Sequence, residues 1–124
     1  MKGEFDEIGY WSELKLDIVR EYAQAYSTIL ASKQNPSFHH VYIDGFAGAG
    51  FNVSRATGKL VPGSPLNALG ITPAFCEYFL IDLDGGKAEI LRSVVGDRQD
   101  VHIFEGDCNA ILIRDVFPEV KYEA

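Results

Sequence analysis

The chain has 124 residues, a formal net charge of −7, 47% hydrophobic residues and 23% charged residues. This length fits one domain with a modest hydrophobic core, and the composition is that of an ordinary soluble globular protein. The acidic balance argues against broad nucleic-acid binding, because neutralising phosphates requires an excess of lysine and arginine.

Two further features concern the cellular setting. No apolar run is long enough to cross a membrane, and residues 1–10 lack the pattern of a secretory signal. Cys76 and Cys108 are too few for a disulfide framework and do not have the spacing of metal ligands. We therefore expect a cytoplasmic protein with reduced thiols and no bound metal.

A long amphipathic helix is predicted over residues 12–34, after a polar lead-in loop. Ser12 is its expected N-cap, and Asn35-Pro36 ends the segment. Its apolar residues recur at helical spacing and form one stripe: Leu14, Ile18, Val19, Tyr22, Ala23, Tyr26, Ile29 and Leu30. We expect this stripe to pack on a sheet.

Three short apolar strands follow, each with a helix after it. The strands are predicted over 41–43, 75–81 and 101–104, and the helices over 65–70, 86–95 and 109–117. Residues 51–63 are predicted to form a polar loop with a turn at Thr57-Gly58, and Ser64 is the expected N-cap of the helix after it. Alternation of strands and helices indicates an α/β protein with a parallel sheet.

An acid stands at the end of each strand: Asp44, Asp82 and Asp107. Parallel sheets bind ligands beyond the carboxyl ends of their strands, so we expect these acids to meet at one ligand-binding edge. Asp82 is placed to accept hydrogen bonds from ribose hydroxyls. Asp84 competes for that role but is better placed as the N-cap of the next helix. The alternative for both is a solvated carboxylate at a strand end.

A second pair of candidates follows the third strand. The Asp107 carboxylate is placed to accept a hydrogen bond from an adenine amino group, and the Cys108 backbone N–H to donate one to a ring nitrogen. The alternative is that Asp107 is only the N-cap of the next helix.

The loop Asp44-Gly45-Phe46-Ala47-Gly48-Ala49-Gly50 follows the first strand directly. Its three glycines allow a sharp turn and a close approach of the backbone to a ligand. A dinucleotide loop would need glycine or alanine where Val53 stands, and Asp44 would repel a pyrophosphate. The charge therefore favours a cationic nucleoside such as S-adenosylmethionine, which carries a sulfonium and an ammonium.

These segments resemble a known family. The loop from Asp44 to Gly50 is similar to motif I of class I methyltransferases, Ile81-Asp82-Leu83-Asp84 resembles their second motif, and Glu105-Gly106-Asp107 resembles their third. With residues 10–22, Thr57-Gly58 and Gly63-Ser64-Pro65 added, nearly the whole sequence resembles the three-Cys-motif partner (TcmP) family.

The resemblance implies a three-layer, Rossmann-like class I methyltransferase fold, with residues 1–124 in one domain and cofactor-binding βα units over 41–117. It also implies a three-Cys-motif protein as partner, but it brings no acceptor substrate and no catalytic residue. The residues implied to bind S-adenosylmethionine are Asp44, Gly45, Phe46, Gly48, Gly50, Asp82, Leu83, Asp107 and Cys108.

Related proteins continue into a fourth strand that ends in an Asp-Pro-Tyr-like motif and lines the methyl-transfer site. This sequence ends at Ala124, about where that strand would begin. We therefore expect the N-terminal part of such a domain, inactive alone, with the strand over 41–43 exposed at an edge and prone to association.

Two alternatives stay open. One is a non-catalytic partner of a Cys-motif protein that keeps the fold, which co-purification without cofactor binding would favour. The other is an NAD(P)-type Rossmann enzyme, which tighter binding of NAD than of the sulfonium cofactor would favour.

Overall fold

A computed structural model describes residues 5–32 and 40–119, in which strands and helices form an α/β protein. The first elements are β1 (Glu7–Ile8), α1 (Tyr10–Ser32), β2 (Val41–Asp44), β3 (Phe51–Ser54), β4 (Leu60–Pro62) and α2 (Ser64–Leu69). The later ones are β5 (Glu77–Asp82), α3 (Gly85–Val95), β6 (Val101–Glu105) and α4 (Cys108–Ile111), continued by a π-helical turn (Leu112–Val116) and a 3-10 turn (Phe117–Glu119).

A parallel sheet with the strand order β2-β5-β6 forms the centre of the molecule. The apolar run of β5 explains its central place, because a strand covered on both faces has no polar side to show to water. Its residues Tyr78, Phe79, Leu80 and Ile81 are fully buried. The predicted parallel sheet is confirmed, and each of its three strands lies within a few residues of the predicted segment.

Helices cover both faces of this sheet. On one face, Ala68 of α2 and Leu91 of α3 pack with Tyr78 and Leu80, and Ala23 of α1 lies against the same cluster. On the other face, Ile111 and Val116 pack with Phe79 and Ile81. The alternation of side chains along β5 therefore feeds two separate apolar cores, and the molecule has three layers.

A second small sheet, ordered β1-β3-β4, stands where a polar loop was predicted. The prediction of a loop over 51–63 was wrong, because β3 and β4 form an antiparallel hairpin, but the predicted turn at Thr57-Gly58 is present, with Gly58 at a φ of 71°. The prediction of a lead-in loop was wrong in part, since β1 pairs in parallel with β3. The hairpin strands β3 and β4 span only four and three residues, which is too short for a clear pattern of hydrophobicity.

The helix ends match their predicted signals in part. Asp84 caps α3 by accepting hydrogen bonds from the N–H groups of Gly86 and Lys87, and Gly96 ends it with a positive φ of 77°, both as predicted. Ser64 is not an N-cap: Gly63 takes that place, and Ser64 is the first residue of α2. Ser12 lies inside α1, which begins at Tyr10 instead.

The predicted C-terminal end of the first helix lies partly outside the described residues. The predicted last residues, 33–34, and the expected stop at Asn35-Pro36 lie outside the described residues. At the other end of the chain, the segment predicted as one helix over 109–117 is divided into α4, the π-helical turn and the 3-10 turn that contains Pro118.

The predicted packing of α1 was wrong for most of its stripe. Ile18, Tyr22 and Tyr26 are 50%, 76% and 62% exposed, although all three were expected to face a sheet. The helix packs through Ala23 and the buried Ser27 instead, whose hydroxyl donates to the carbonyl of Pro73. We call the exposed set, which consists of Trp11, Ile18, Tyr22, Tyr26 and Ile29, the outward face of α1.

The edge of the parallel sheet accounts for this exposure. Among the residues that the structure describes, β2 pairs with β5 on one side only, so the sheet ends at β2. A helix packs on a sheet only where strands lie beneath it, and Ile43 of β2 is itself 37% exposed.

In the described part of the chain, no helix is both long and apolar enough to span a membrane.

Candidate functional site

The carboxyl ends of the parallel strands bring the predicted acids together. Because β2, β5 and β6 run in the same direction, Asp44 and Asp82 end their strands at one edge, and Asp107 follows two residues after β6. The carboxylate of Glu105, which pairs in register with Asp82, belongs to the same group. We call this group of Asp44, Asp82, Glu105 and Asp107 the acidic edge.

The glycine loop folds back onto the end of β5. The N–H of Ala47 donates to the carbonyl of Ile81 at 2.9 Å, and the N–H of Gly48 donates to Oδ2 of Asp82 at 2.8 Å. Gly48 and Gly50 have φ values of 72° and 102°, which side chains disfavour. The loop therefore needs glycine at both positions to keep this conformation.

Gly45 is required for a different reason, the close approach of a neighbouring loop. A Cβ atom at Gly45 would lie 2.5 Å from the Sγ atom of Cys108, which is far inside van der Waals contact. Cys108 is the first residue of α4, so the glycine loop packs directly on the start of that helix. The structure thus places Gly45 and Cys108, both predicted site residues, side by side.

The Asp82 carboxylate accepts hydrogen bonds from two loops. Its Oδ2 accepts the hydrogen bond from Gly48, and its Oδ1 accepts one from the N–H of Asp84 at 2.8 Å. A carboxylate offers about four lone-pair positions. Two hydrogen bonds therefore fix the orientation of the carboxylate and leave capacity for ligand hydroxyls.

Asp44 is the centre of a part-buried network. Its Oδ1 accepts from the N–H of Phe46 at 3.0 Å, and its Oδ2 accepts from the hydroxyls of Ser64 and Tyr42, the latter at 3.4 Å. Burial raises the pKa of Tyr42, and the charge of Asp44 raises it further. Tyr42 therefore stays protonated and donates to Asp44.

Sequence reasoning missed Tyr42 and Ser64 as parts of the site. The signal for Tyr42 was present, because residues i and i+2 of a strand face the same side and Asp44 is two residues on. Ser64 carried no such signal, since it reaches Asp44 only through the folded position of α2.

Asp107 has the capping role that was its alternative. Its Oδ2 accepts from the N–H of Ala110 at 3.1 Å, which satisfies one of the free donors at the start of α4. Its side chain is exposed, so it stays accessible at the acidic edge.

Two large apolar side chains stand out from the same edge. Phe46 of the glycine loop is 85% exposed, and Leu83, between Asp82 and Asp84, is 75% exposed. Both were predicted site residues. Apolar side chains in water beside a polar site offer surface that a flat heteroaromatic ring can cover.

Negative charge dominates the surroundings. The Glu105 carboxylate lies over the start of α3, so close that a Cβ at Gly85 would be 2.7 Å from it. Lys87 of α3 is the lysine or arginine nearest in sequence to Asp82, and its ammonium binds the Asp6 carboxylate at 2.8 Å. The pKa of Lys87 is raised, first by that hydrogen bond and then by the charges of Asp6, Asp82 and Asp84.

No protein-family model matches the chain, and no curated protein is detectably similar to it in sequence. Within residues 5–32 and 40–119, no group of three histidine, cysteine, aspartate or glutamate side chains is placed to hold a metal ion.

Proposed function

We propose that the acidic edge binds S-adenosylmethionine and that the chain is the cofactor-binding part of a methyltransferase-like protein of the three-Cys-motif partner family. The observation that carries the proposal is the use of the glycine loop: its Gly48 N–H points at the Asp82 carboxylate. A loop whose N–H group already donates to a carboxylate does not offer that group to a phosphate, so it suits a ligand without phosphate groups.

The residues present fit such a cofactor. The free lone pairs of Asp82 can accept from the ribose hydroxyls, and the exposed side chains of Asp107 and Phe46 can offer an adenine ring a hydrogen-bond acceptor and a stacking surface. The negative charge of the acidic edge favours the sulfonium and the ammonium. When bound, the cofactor supplies an electrophilic methyl group, and the chain's own residues orient it.

The same geometry weighs against the NAD(P)-type alternative. Dinucleotide sites place the pyrophosphate at the N-terminus of the helix that follows the glycine loop. Here the next element is the strand β3, so no helix N-terminus faces the loop from that position. A pyrophosphate would also meet Asp44 and Asp82.

Calorimetric titration with S-adenosylhomocysteine and with NAD tests the proposal. We expect saturable binding of S-adenosylhomocysteine and much weaker binding of NAD. Replacing Phe46 by alanine leaves folding intact, because the side chain is in water, and should lower the affinity about tenfold if the ring stacks on adenine. Asp97→Ala, at an exposed turn after α3, is the control that should bind like wild type. Preference for NAD, or an unchanged affinity in Phe46→Ala, would reject this site.

A second candidate, the non-catalytic partner role, is favoured by the outward face of α1. Trp11 and Tyr22 are 73% and 76% exposed, and large apolar side chains left in water along one helix suit a protein interface. Mixing the chain with a purified three-Cys-motif protein tests it by size-exclusion chromatography. A complex that forms with wild type but not with a Trp11→Ser, Tyr22→Ser variant, without cofactor binding, would favour this role.

A further inference from the structure

A cavity of about 230 Å³ is lined by residues of which none belongs to the glycine loop or to the acidic edge. It opens between the first turns of α1, the strand β3 and the start of α2. Its wall combines the apolar side chains of Ile8, Leu16 and Val19 with polar ones, among them Lys15, Asn52 and Ser64.

Ser64 joins this cavity to the proposed cofactor site. Its hydroxyl donates to the Asp44 carboxylate, from which the glycine loop starts. The N–H of Gly63 also donates to the carbonyl of Gly50 at 2.7 Å, so the start of α2 is fixed to the end of that loop. A ligand in the cavity would therefore be a neighbour of a ligand on the loop.

Lys15 gives the cavity a positive charge that the described residues do not neutralise. Within 5–32 and 40–119, no carboxylate forms an ion pair with it. The nearby acids of α1 have other partners: Glu13 accepts from the Ser54 hydroxyl at 2.8 Å, and Asp17 lies 3.8 Å from Arg20. The positive end of the α1 dipole acts in the same direction.

We propose that this cavity binds a small organic carboxylate with an apolar body. Lys15 would pair with the carboxylate, Asn52 and Ser64 would hydrogen-bond to it, and the apolar wall would cover the rest. The volume lies below the roughly 300–1,000 Å³ of sites for larger ligands, which limits the ligand to a small one.

The role of this anion as methyl acceptor rests on the proposed function. A lone pair on a carboxylate oxygen of the ligand would form the bond to the methyl carbon, and the carbon–sulfur bond would break with its electron pair left on sulfur. The products would be a methyl ester and the neutral thioether, and no proton would be transferred. The binding of the anion itself requires no cofactor, so the two proposals can be tested separately.

Amide chemical shifts of the isotopically labelled full chain, titrated with phenylacetate, test the site. We expect saturable shifts at Lys15, Asn52 and Ser64, and at least tenfold weaker binding of the neutral phenylacetamide. Lys15→Gln should weaken phenylacetate binding about tenfold, because it removes the charge and keeps most of the stem. Lys59→Gln, which changes an exposed lysine of the hairpin outside the cavity, should bind like wild type.

Equal affinities for the acid and the amide, or for wild type and Lys15→Gln, would overturn the proposal, as would shifts confined to another surface. Phe46→Ala separates it from the cofactor proposal. This variant should keep phenylacetate binding even where it loses S-adenosylhomocysteine.

Discussion

At the acidic edge, polar groups are held by one another, whereas the outward face of α1 leaves large apolar side chains in water. Asp44 and Asp82 each accept hydrogen bonds from at least two donors of the surrounding loops. Tyr22, by contrast, is 76% exposed. The acids of one region are thus held by hydrogen bonds within the chain, whereas the apolar side chains of the other are left in contact with water. Substitutions beneath the acidic edge should therefore mainly change stability, whereas substitutions on the outward face should mainly change association.

The largest difference in the free energy of unfolding is expected between a substitution in the buried strand β5, beneath the acidic edge, and one on the outward face. Phe79 is 1% exposed and stacks on His102, with ring centroids 5.0 Å apart. Phe79→Ala should cost about 3–5 kcal/mol in the free energy of unfolding, because it leaves a cavity in the core. Tyr22→Ala should stay within about 0.5 kcal/mol. Urea denaturation of both variants measures this, and similar losses would remove the distinction.

A second test concerns association through the outward face and the open edge of β2. The wild-type chain should self-associate, since β2 has a partner strand on one side only among the described residues, and such an edge and an apolar helix face both favour contacts between copies. Ile18→Ser with Tyr22→Ser should weaken association at least tenfold, because burying each side chain contributes about 1.5–3 kcal/mol. Analytical ultracentrifugation is the measurement, and Thr28→Ala on another side of α1 is the control. A monomeric wild type with one sharp unfolding transition would contradict this expectation.

A third test examines the conformation of the glycine loop. Gly48→Ala should destabilise the chain by about 1–2 kcal/mol, because its φ of 72° is unfavourable for a residue with a Cβ. Nothing lies within 4 Å of that Cβ, so backbone strain alone is measured. Gly70→Ala, at a φ of −86° with only ordinary contacts, is the matched control and should be near neutral. Equal stabilities of the two variants would show that the loop relaxes.

The sequence predicted those features that depend on neighbouring residues. The apolar run of β5, the cap at Asp84 and the stop at Gly96 are local signals, and all three are present in the structure. The convergence of Asp44 and Asp82 followed from the parallel order of the strands. These are the parts of the fold and of the candidate site that periodicity and capping rules describe.

The missed features depend on contacts between distant segments. The hairpin of β3 and β4 is fixed by the pairing of β3 with β1 and by the hydrogen bond between Ser54 and Glu13 of α1. The packed face of α1 was missed because the apolar stripe does not show how far the sheet extends beneath the helix. The contact of Ser64 with Asp44 likewise appears only after α2 is placed.

The smallest expected effect lies at the end of the sheet opposite to the acidic edge. Arg98 donates to both oxygens of Asp100, at 3.0 and 2.8 Å, and its hydrogen bond lowers the pKa of that carboxyl below the usual value. A carboxyl whose pKa is lowered by folding stabilises the protein above its unfolded pKa of about 3.9, and this contribution is lost as the pH falls through the folded pKa. Asp100→Asn should therefore cost less than about 1 kcal/mol at pH 7, because both side chains are partly exposed and screened. Urea denaturation at pH 7 and near pH 2 should show the difference from wild type only at the higher pH. The control is Asp97→Asn, because the exposed Asp97 side chain has no such partner among the residues that the structure describes. This variant should have the stability of wild type at both pH values. A difference that persists near pH 2 would assign the effect to a property of the asparagine side chain instead of to the ion pair.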